Sequence, residues 1–119
     1  MYAVLMGNPI LSQVQRVGEG VFPENEAFGF SMTADKKTSF FVRSYSGRDT
    51  LIIYTSERKD GQWQTPKPAS FTAKPGVWKD IDPFVTPDGR RLFFQSNRGL
   101  KKGDPVRKDF DIWVAEKHA

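Results

Sequence analysis

The sequence predicts a small all-β domain, and three observations carry this prediction. Glycine occurs ten times and proline eight times in 119 residues, and both are scattered along the chain, so no stretch favours a long amphipathic helix. Short runs rich in β-branched and aromatic residues lie between these turn signals. Aromatic residues make up 13% of the chain, which supplies enough apolar area for a core and argues against a disordered chain.

The predicted strands follow one another at fairly even spacing. In the first half they are residues 28–33, 39–44, 50–56 and a short 62–64, and the turns between them contain Asp35, Gly47 and Gly61. In the second half they are residues 84–86, 91–96 and 110–116, separated by Pro87-Asp88-Gly89 and by a longer loop with Gly99, Gly103 and Pro105. Short strands with turn signals between them are typical of an all-β domain.

Two stretches of the chain match each other. Residues 33–41, TADKKTSFF, align with residues 86–94, TPDGRRLFF, 53 positions later. A second match, IYTSER with IWVAEK, has an offset of 59 and implies an insertion of six residues in the loop at 97–109. In the second copy Gly89 accepts a positive φ, whereas Lys36 replaces this glycine in the first copy and predicts a less favourable turn.

The residue inventory excludes several kinds of chemistry. The chain has no cysteine, which excludes a disulfide scaffold, a cysteine zinc site and a cysteine nucleophile. Its single histidine, His118, is next to last, where packing holds a side chain least, and this argues against a catalytic triad or zinc site. The chain has no phosphate loop, nucleophile elbow or calcium-loop pattern. We therefore expect no resident metal or cofactor, and the sequence favours a protein without catalytic activity.

The formal net charge of +4 is concentrated in one segment. Residues 90–108 contain seven basic residues against Asp104 alone. A nucleic-acid interface is one interpretation of such a segment. Runs of charge more often mark solvated surface, and much of this segment is the inserted loop. The sequence therefore favours a solvated loop over nucleic-acid binding, and it has no apolar run long enough for a membrane helix.

The repeat resembles the WD40-like PD40 repeat of TolB-like β-propellers. The residues that carry the resemblance are DPFVTPDGRRLFFQSNR at 82–98, DFDIWV at 109–114 and, in the first copy, SERKDGQW at 56–63. The resemblance covers about residues 24–117. It implies four-stranded antiparallel blades, with residues 1–23 as an N-terminal extension, 24–72 as a first blade, and 73–119 as a second blade that lacks its outer strand.

Two blades alone would leave sheet faces uncovered, since each blade of a propeller packs between neighbours. Residues 40–42 and 51–54 are apolar on both faces, as strands between blades are. Three explanations stay open. The chain is a fragment of a larger propeller, or several copies assemble, for instance three chains in one ring, or the N-terminal extension covers the blades. In the last case, residues 12–17 alternate like an edge strand that completes a blade.

Five residues are candidates for ligand binding. Asp80 and Asp82 precede the predicted inner strand of the second blade, near the mouth of the implied channel, where their oxygens suit a cation or a sugar hydroxyl. The alternative is that they bond backbone groups where the blade begins. Arg43 and Arg98 follow the paired phenylalanines of each copy and suit an anion at the rim, or else a salt bridge or stacking inside a blade. Trp78, in the loop between the blades, suits stacking on a sugar ring.

The resemblance implies a binding or protein-interaction module in a periplasmic or secreted bacterial protein. Its expected partners are another protein, further propeller blades or copies of the same chain. The alternative is part of a carbohydrate-active propeller enzyme, or a glycan-binding protein, that uses acidic and tryptophan residues at the channel rim. The N-terminal residues lack the positive segment of a signal peptide, so the compartment is expected from the resemblance alone.

Overall fold

A computed structural model describes residues 13–72 and 77–118. These residues form two antiparallel β-sheets, and the only helical element among them is a three-residue 3₁₀ turn at Ser46–Arg48. The predicted all-β fold class is therefore confirmed. Among the described residues, no helix has the length and apolar character that crossing a bilayer requires.

The first sheet has three long strands and an interrupted outer strand. They are β1 (Ala27–Met32), β2 (Thr38–Tyr45), β3 (Thr50–Lys59), β4 (Gln62–Trp63) and β5 (Lys67–Pro68). Strands β4 and β5 both pair with the outer edge of β3, where Trp63 lies opposite Arg58 and Pro68 lies opposite Tyr54. The sequence did not predict β5, because its proline reads as a turn signal. A proline is tolerated here because an edge strand does not need every backbone N–H.

The second sheet consists of β6 (Asp80–Val85), β7 (Arg91–Ser96) and β8 (Asp111–Glu116), in that order. Among the described residues, no strand pairs with the outer edge of β8. The sequence placed Asp80 and Asp82 before the inner strand, and this was wrong because both lie within β6. Asp82 has a positive φ of 53° and, with Pro83, occupies a bulge that interrupts the pairing between Ile81 and Phe84. A bulge of this kind admits residues that otherwise signal a loop.

The same hydrogen-bonded turn occurs twice, 53 residues apart. In the first turn the Thr33 hydroxyl donates to the Asp35 carboxylate at 2.7 Å and accepts the backbone N–H of Thr38 at 3.2 Å. In the second turn Thr86 donates to Asp88 at 2.8 Å and accepts the N–H of Arg91 at 3.1 Å. Equivalent side chains therefore close equivalent connections in the two sheets.

The strand bulge also recurs at this spacing. Gly29, with a φ of 66°, lies in the interruption between Phe28 and Ser31 of β1, and Asp82 occupies the equivalent position in β6. In both sheets, the inner strand therefore changes register at the same place. Strands β1, β2 and β3 correspond to β6, β7 and β8 in order, pairing and irregularity.

The difference between the two turns has a measurable consequence. Lys36 has a φ of 63°, a conformation that its side chain disfavours, and Gly89 occupies the equivalent position with a φ of 75°. Lys36→Gly is therefore expected to raise the free energy of unfolding by about 1 kcal/mol, although the greater entropy of unfolded glycine offsets part of the gain. Urea denaturation would measure this. The neighbouring Lys37→Gly is the control and should not stabilise the protein, since Lys37 does not have a positive φ.

Side chains alternate between the two faces of each sheet. The face of the first sheet that carries Val42 and Ile53 is called its front face, and the face that carries Phe41 and Tyr54 is called its back face. The faces of the second sheet are named by their equivalents in the first. Its front face carries Phe93, Val114, Gln95 and Ile112, and its back face carries Leu92, Phe94 and Trp113.

The core lies between the front face of the first sheet and the back face of the second. Its buried side chains are Val42, Leu51 and Ile53 from the first sheet, Val85, Leu92 and Phe94 from the second, and Ala69 from the connection. Strand β6 crosses β1, β2 and β3. The backbone N–H of Val85 donates to the Ser31 hydroxyl at 2.9 Å, and that of Ala34 donates to the Pro87 carbonyl at 3.0 Å. These bonds fix the second sheet on the first.

The back face of the first sheet is covered in part by the N-terminal segment. The backbone turn at Gly18 brings the Phe22 ring onto Phe41, with ring centres 4.8 Å apart, and Phe22 also lies beside Trp63 at 5.8 Å. Residues 13–17 do not form the predicted edge strand, and residue 12 lies outside the described part of the chain. The apolar contact of Phe22 places this segment across the sheet rather than along its edge.

Candidate functional site

Asp80 and Arg98 form a buried ion pair at one end of the second sheet. Asp80 is the first residue of β6 and is 1% exposed. Both of its carboxylate oxygens accept hydrogen bonds from Nη2 of Arg98 at 3.1 Å, and Nε of Arg98 donates to the Ser96 hydroxyl at 2.9 Å. The pair therefore ties the segment after β7 to the start of β6.

Aromatic rings surround the guanidinium of this pair. Its central carbon lies 4.7 Å from the ring centre of Trp78, 5.1 Å from that of Phe94 and 5.7 Å from that of Trp113. Cation–π attraction strengthens in such a partly desolvated setting. The structure thus brings together three of the predicted site residues, because Asp80 and Trp78 both contact the Arg98 guanidinium. Ligand binding by these residues stays a prediction.

Asp82 does not share this site. It lies on the exposed front side of β6, where its carboxylate accepts a hydrogen bond from the Gln95 amide at 2.9 Å. The bulge separates it from Asp80, which lies opposite the back-face residue Ser96. The two acids therefore do not act as one pair of ligands. Across the described ranges, no three histidine, cysteine or acidic side chains are grouped as a metal site would require.

Arg43 lies in a third environment, on the back face of the first sheet. Its guanidinium carbon is 4.7 Å from the ring centre of Tyr45 and 5.5 Å from that of Tyr54, and Nε is 4.0 Å from the Glu26 carboxylate. The hydroxyl groups of Tyr45 and Tyr54 are hydrogen-bonded to each other. Lost solvation, together with this bond, raises the pKa of Tyr45 to about 12. Arg43 and Arg98 therefore do not occupy equivalent positions.

Three cations of the basic segment are paired with carboxylates outside it. Arg98 pairs with Asp80, Arg91 with Glu116 at 3.4 Å, and Arg107 with Asp111. The concentration of positive charge seen in the sequence is therefore reduced by acidic residues that β6 and β8 supply. This arrangement agrees with a structural and solvated role for the segment.

The two turn carboxylates respond to acid. The Thr33 hydroxyl holds the pKa of Asp35 below its ordinary value of 3.8, and the backbone N–H of Arg90 does the same for Asp88. Because the folded-state pKa is lowered, the stabilisation is complete above about pH 4 and is lost as the pH falls through the lower folded-state values. In the double variant Asp35→Asn/Asp88→Asn, we expect the thermal midpoint to fall less between pH 4 and pH 2 than in the natural protein. Calorimetry over a pH series measures this. Thermal midpoints that fall equally with pH in the two proteins would contradict it.

The most exposed apolar surface of a strand is the front face of the second sheet, a site that the sequence analysis did not predict. Ile112 is 77% exposed, and Phe84, Val114 and Phe93 beside it are exposed as well. Ile53 is the equivalent of Ile112 in the first sheet and is completely buried. The repeat was the one feature of the sequence that could have indicated this site. If the second sheet covers Ile53, its equivalent Ile112 needs a further layer to cover it.

The fold and the site together define an all-β protein with two stacked antiparallel sheets, a buried ion pair and an exposed apolar face on the second sheet. Comparisons with protein-family models, with curated proteins and with solved structures found no match in any of the three. The TolB-like resemblance therefore stays a prediction, and the function has to be argued from the surfaces of the molecule.

Proposed function

We propose that the chain is a non-catalytic protein-interaction module built from two β-propeller blades, and that it binds through the front face of its second sheet. The observation that carries this proposal is the contrast between Ile53, which is buried, and Ile112, which is 77% exposed at the equivalent position. Exposed apolar side chains on one face of a sheet are typical of a surface that another protein layer covers, and here the hydrogen-bonded Asp82 and Gln95 lie among them.

The propeller part of the proposal is supported by the recurrence of the turn and the bulge. Each sheet begins with an inner strand that changes register at Gly29 or Asp82 and continues with two strands joined by simple connections. The inner strand β6 packs on the first sheet, as neighbouring blades do near a propeller axis. The periplasmic or secreted location of the parent protein rests on the TolB-like resemblance alone.

A structural role for the buried polar residues supports the non-catalytic part. Asp80 and Arg98 satisfy each other, and Trp78 packs on the guanidinium, so the two buried charges already have partners within the chain. The open surface is apolar, which suits a protein partner better than a polar substrate.

The binding of an uncharged apolar fluorescent dye, Nile red, tests the proposed surface at a dilution where sedimentation shows the monomer. Ile112→Lys is expected to lower the dye fluorescence to roughly half, because it places a charge at the most exposed apolar side chain of this face. Leu100→Lys is the matched control, since Leu100 is 59% exposed but lies in the loop after β7. Equal fluorescence of Ile112→Lys and the natural protein, with unchanged thermal midpoints, would sink the proposed surface.

A further inference from the structure

The contact between the two sheets joins two different kinds of face. Val42 and Ile53 on the front face of the first sheet meet Phe94 on the back face of the second, within one buried core. The repeat makes Phe41 the equivalent of Phe94. The back face around Phe41 is therefore equivalent to the face that the front of the first sheet already binds, but Phe22 lies on Phe41, which is 1% exposed. A partner on this side would contact β1 and the N-terminal segment that covers the sheet.

One end of the two-sheet stack consequently presents a front face, and the other end presents a back face. The front face of the second sheet is open, as Ile112 shows. The opposite end keeps exposed apolar side chains around the Phe22 ring. They are Phe30 at 41% and Met32 at 36% exposure in β1, and Val17 at 48% and Val21 at 37% in the N-terminal segment that lies on this sheet. One apolar surface is therefore on a front face and the other is on the side of a back face, and these are the two kinds of face that meet within the chain.

We infer that the front face of the second sheet binds the back face of the first sheet in a second copy of the chain. This inference rests on the proposed function and names its partner. The contact within the chain is the template for the contact between copies, because both join a front face to a back face. Such a head-to-tail contact repeats from copy to copy and closes into a ring when the rotation permits. Propellers of about four to eight blades correspond to two to four copies.

The edge of this contact holds charges of both signs. Within the chain, a Cβ atom on Gly89 would lie 3.2 Å from Cγ2 of Thr33, which is a crowded contact. Lys36 is the equivalent of Gly89, and Thr86 is the equivalent of Thr33. Lys36 of one copy is therefore expected beside Thr86 of the next, and the copies must lie slightly further apart at this point than the two sheets of one chain. The Thr86 hydroxyl is bonded to the exposed carboxylate of Asp88, which attracts Lys36, whereas Arg90 and Arg91 beside Asp88 offset part of this attraction.

Sedimentation of two complementary variants tests the inference. Ile112→Lys blocks the front face and leaves the back face intact, whereas Met32→Lys blocks the back face and leaves the front face intact. Alone, each variant is expected to be monomeric at a concentration where the natural protein is two to four times heavier. Mixed in equal amounts, they are expected to form a complex of twice the monomer mass, because one intact face of each kind remains.

Leu100→Lys serves as the control and should assemble like the natural protein. If either blocking variant fails to fold, Phe84→Lys replaces it for the front face and Val17→Lys for the back face, since both residues are exposed. Neither side chain belongs to the buried core, and these substitutions carry the same expected outcomes.

Three results would overturn the inference. A natural protein that stays monomeric at all concentrations shows that the partner is not a second copy; the proposed function survives this if Ile112→Lys still lowers dye binding. Met32→Lys that assembles alone, while Ile112→Lys does not, shows a symmetric contact of front face with front face. A mixture that stays monomeric, although the natural protein assembles, shows that the two faces do not bind each other.

Discussion

Replacing Asp80 with asparagine is expected to lower the free energy of unfolding by about 3 kcal/mol, because the change leaves the Arg98 guanidinium without its counter-charge. Asp80 is 1% exposed, and the side chain of Arg98 is 17% exposed. Water therefore replaces the lost carboxylate poorly. Small domains have total stabilities of about 5–15 kcal/mol, so a loss of this size is a large fraction of the whole.

The exposed pair of Arg91 and Glu116 is the matched control for this prediction. Their side chains are 59% and 55% exposed and lie 3.4 Å apart. Glu116→Gln is expected to cost less than about 1 kcal/mol, because solvent screens an exposed pair. Urea denaturation measures both changes on one scale. A cost of Asp80→Asn no larger than that of Glu116→Gln would show that the buried pair does not exist in solution.

A double variant separates the charge from the packing. Arg98→Met removes the cation and keeps an apolar side chain beside Trp78 and Phe94. When it is combined with Asp80→Asn, part of the lost stability should return, since no unpaired charge remains buried. If the double variant is less stable than Asp80→Asn alone, the remaining contacts of the guanidinium with the aromatic rings and Ser96 outweigh the cost of its unpaired charge.

Local chemistry explains what the sequence could predict. The turn at Thr86 and Asp88 is specified by residues within five positions of each other, and the strand Arg91–Ser96 that follows it has the predicted bounds. The all-β fold class follows from the same local signals, because turn residues recur before any strand pattern becomes long. The same local reasoning predicted a less favourable turn at Lys36, where lysine replaces glycine, and Lys36 has a positive φ.

Long-range packing explains what the sequence could not predict. Asp80 reads as a loop residue until Arg98 is known to cross over from the end of β7. The short strand at Lys67–Pro68 exists because the edge of β3 is available to it, and nothing in those two residues signals this. The sequence of β8 also gives no sign that Ile112 is open, because this depends on which face of the second sheet meets the first.

Phe94→Ala is expected to cost about 4 kcal/mol in the free energy of unfolding, through lost burial and the cavity that it leaves. The Phe94 ring is 3% exposed and stacks on Phe71, with ring centres 4.8 Å apart. It fills the core between the two sheets and also forms part of the wall around Arg98. The substitution therefore weakens the contact of the sheets and the setting of the buried ion pair together.

The adjacent Phe93 provides the control, because it has the same side chain in the same strand but points to the opposite face. It is 37% exposed in the single chain. At a dilution where the protein is monomeric, Phe93→Ala is expected to cost less than half as much as Phe94→Ala, since little of its burial depends on the core.

Urea denaturation at low and high protein concentration then separates the effect of the core from the effect of assembly. The cost of Phe93→Ala should grow with concentration if a second copy covers the front face, whereas the cost of Phe94→Ala should not. Equal costs for the two residues in the monomer would contradict the assignment of front and back faces on which the proposed assembly depends.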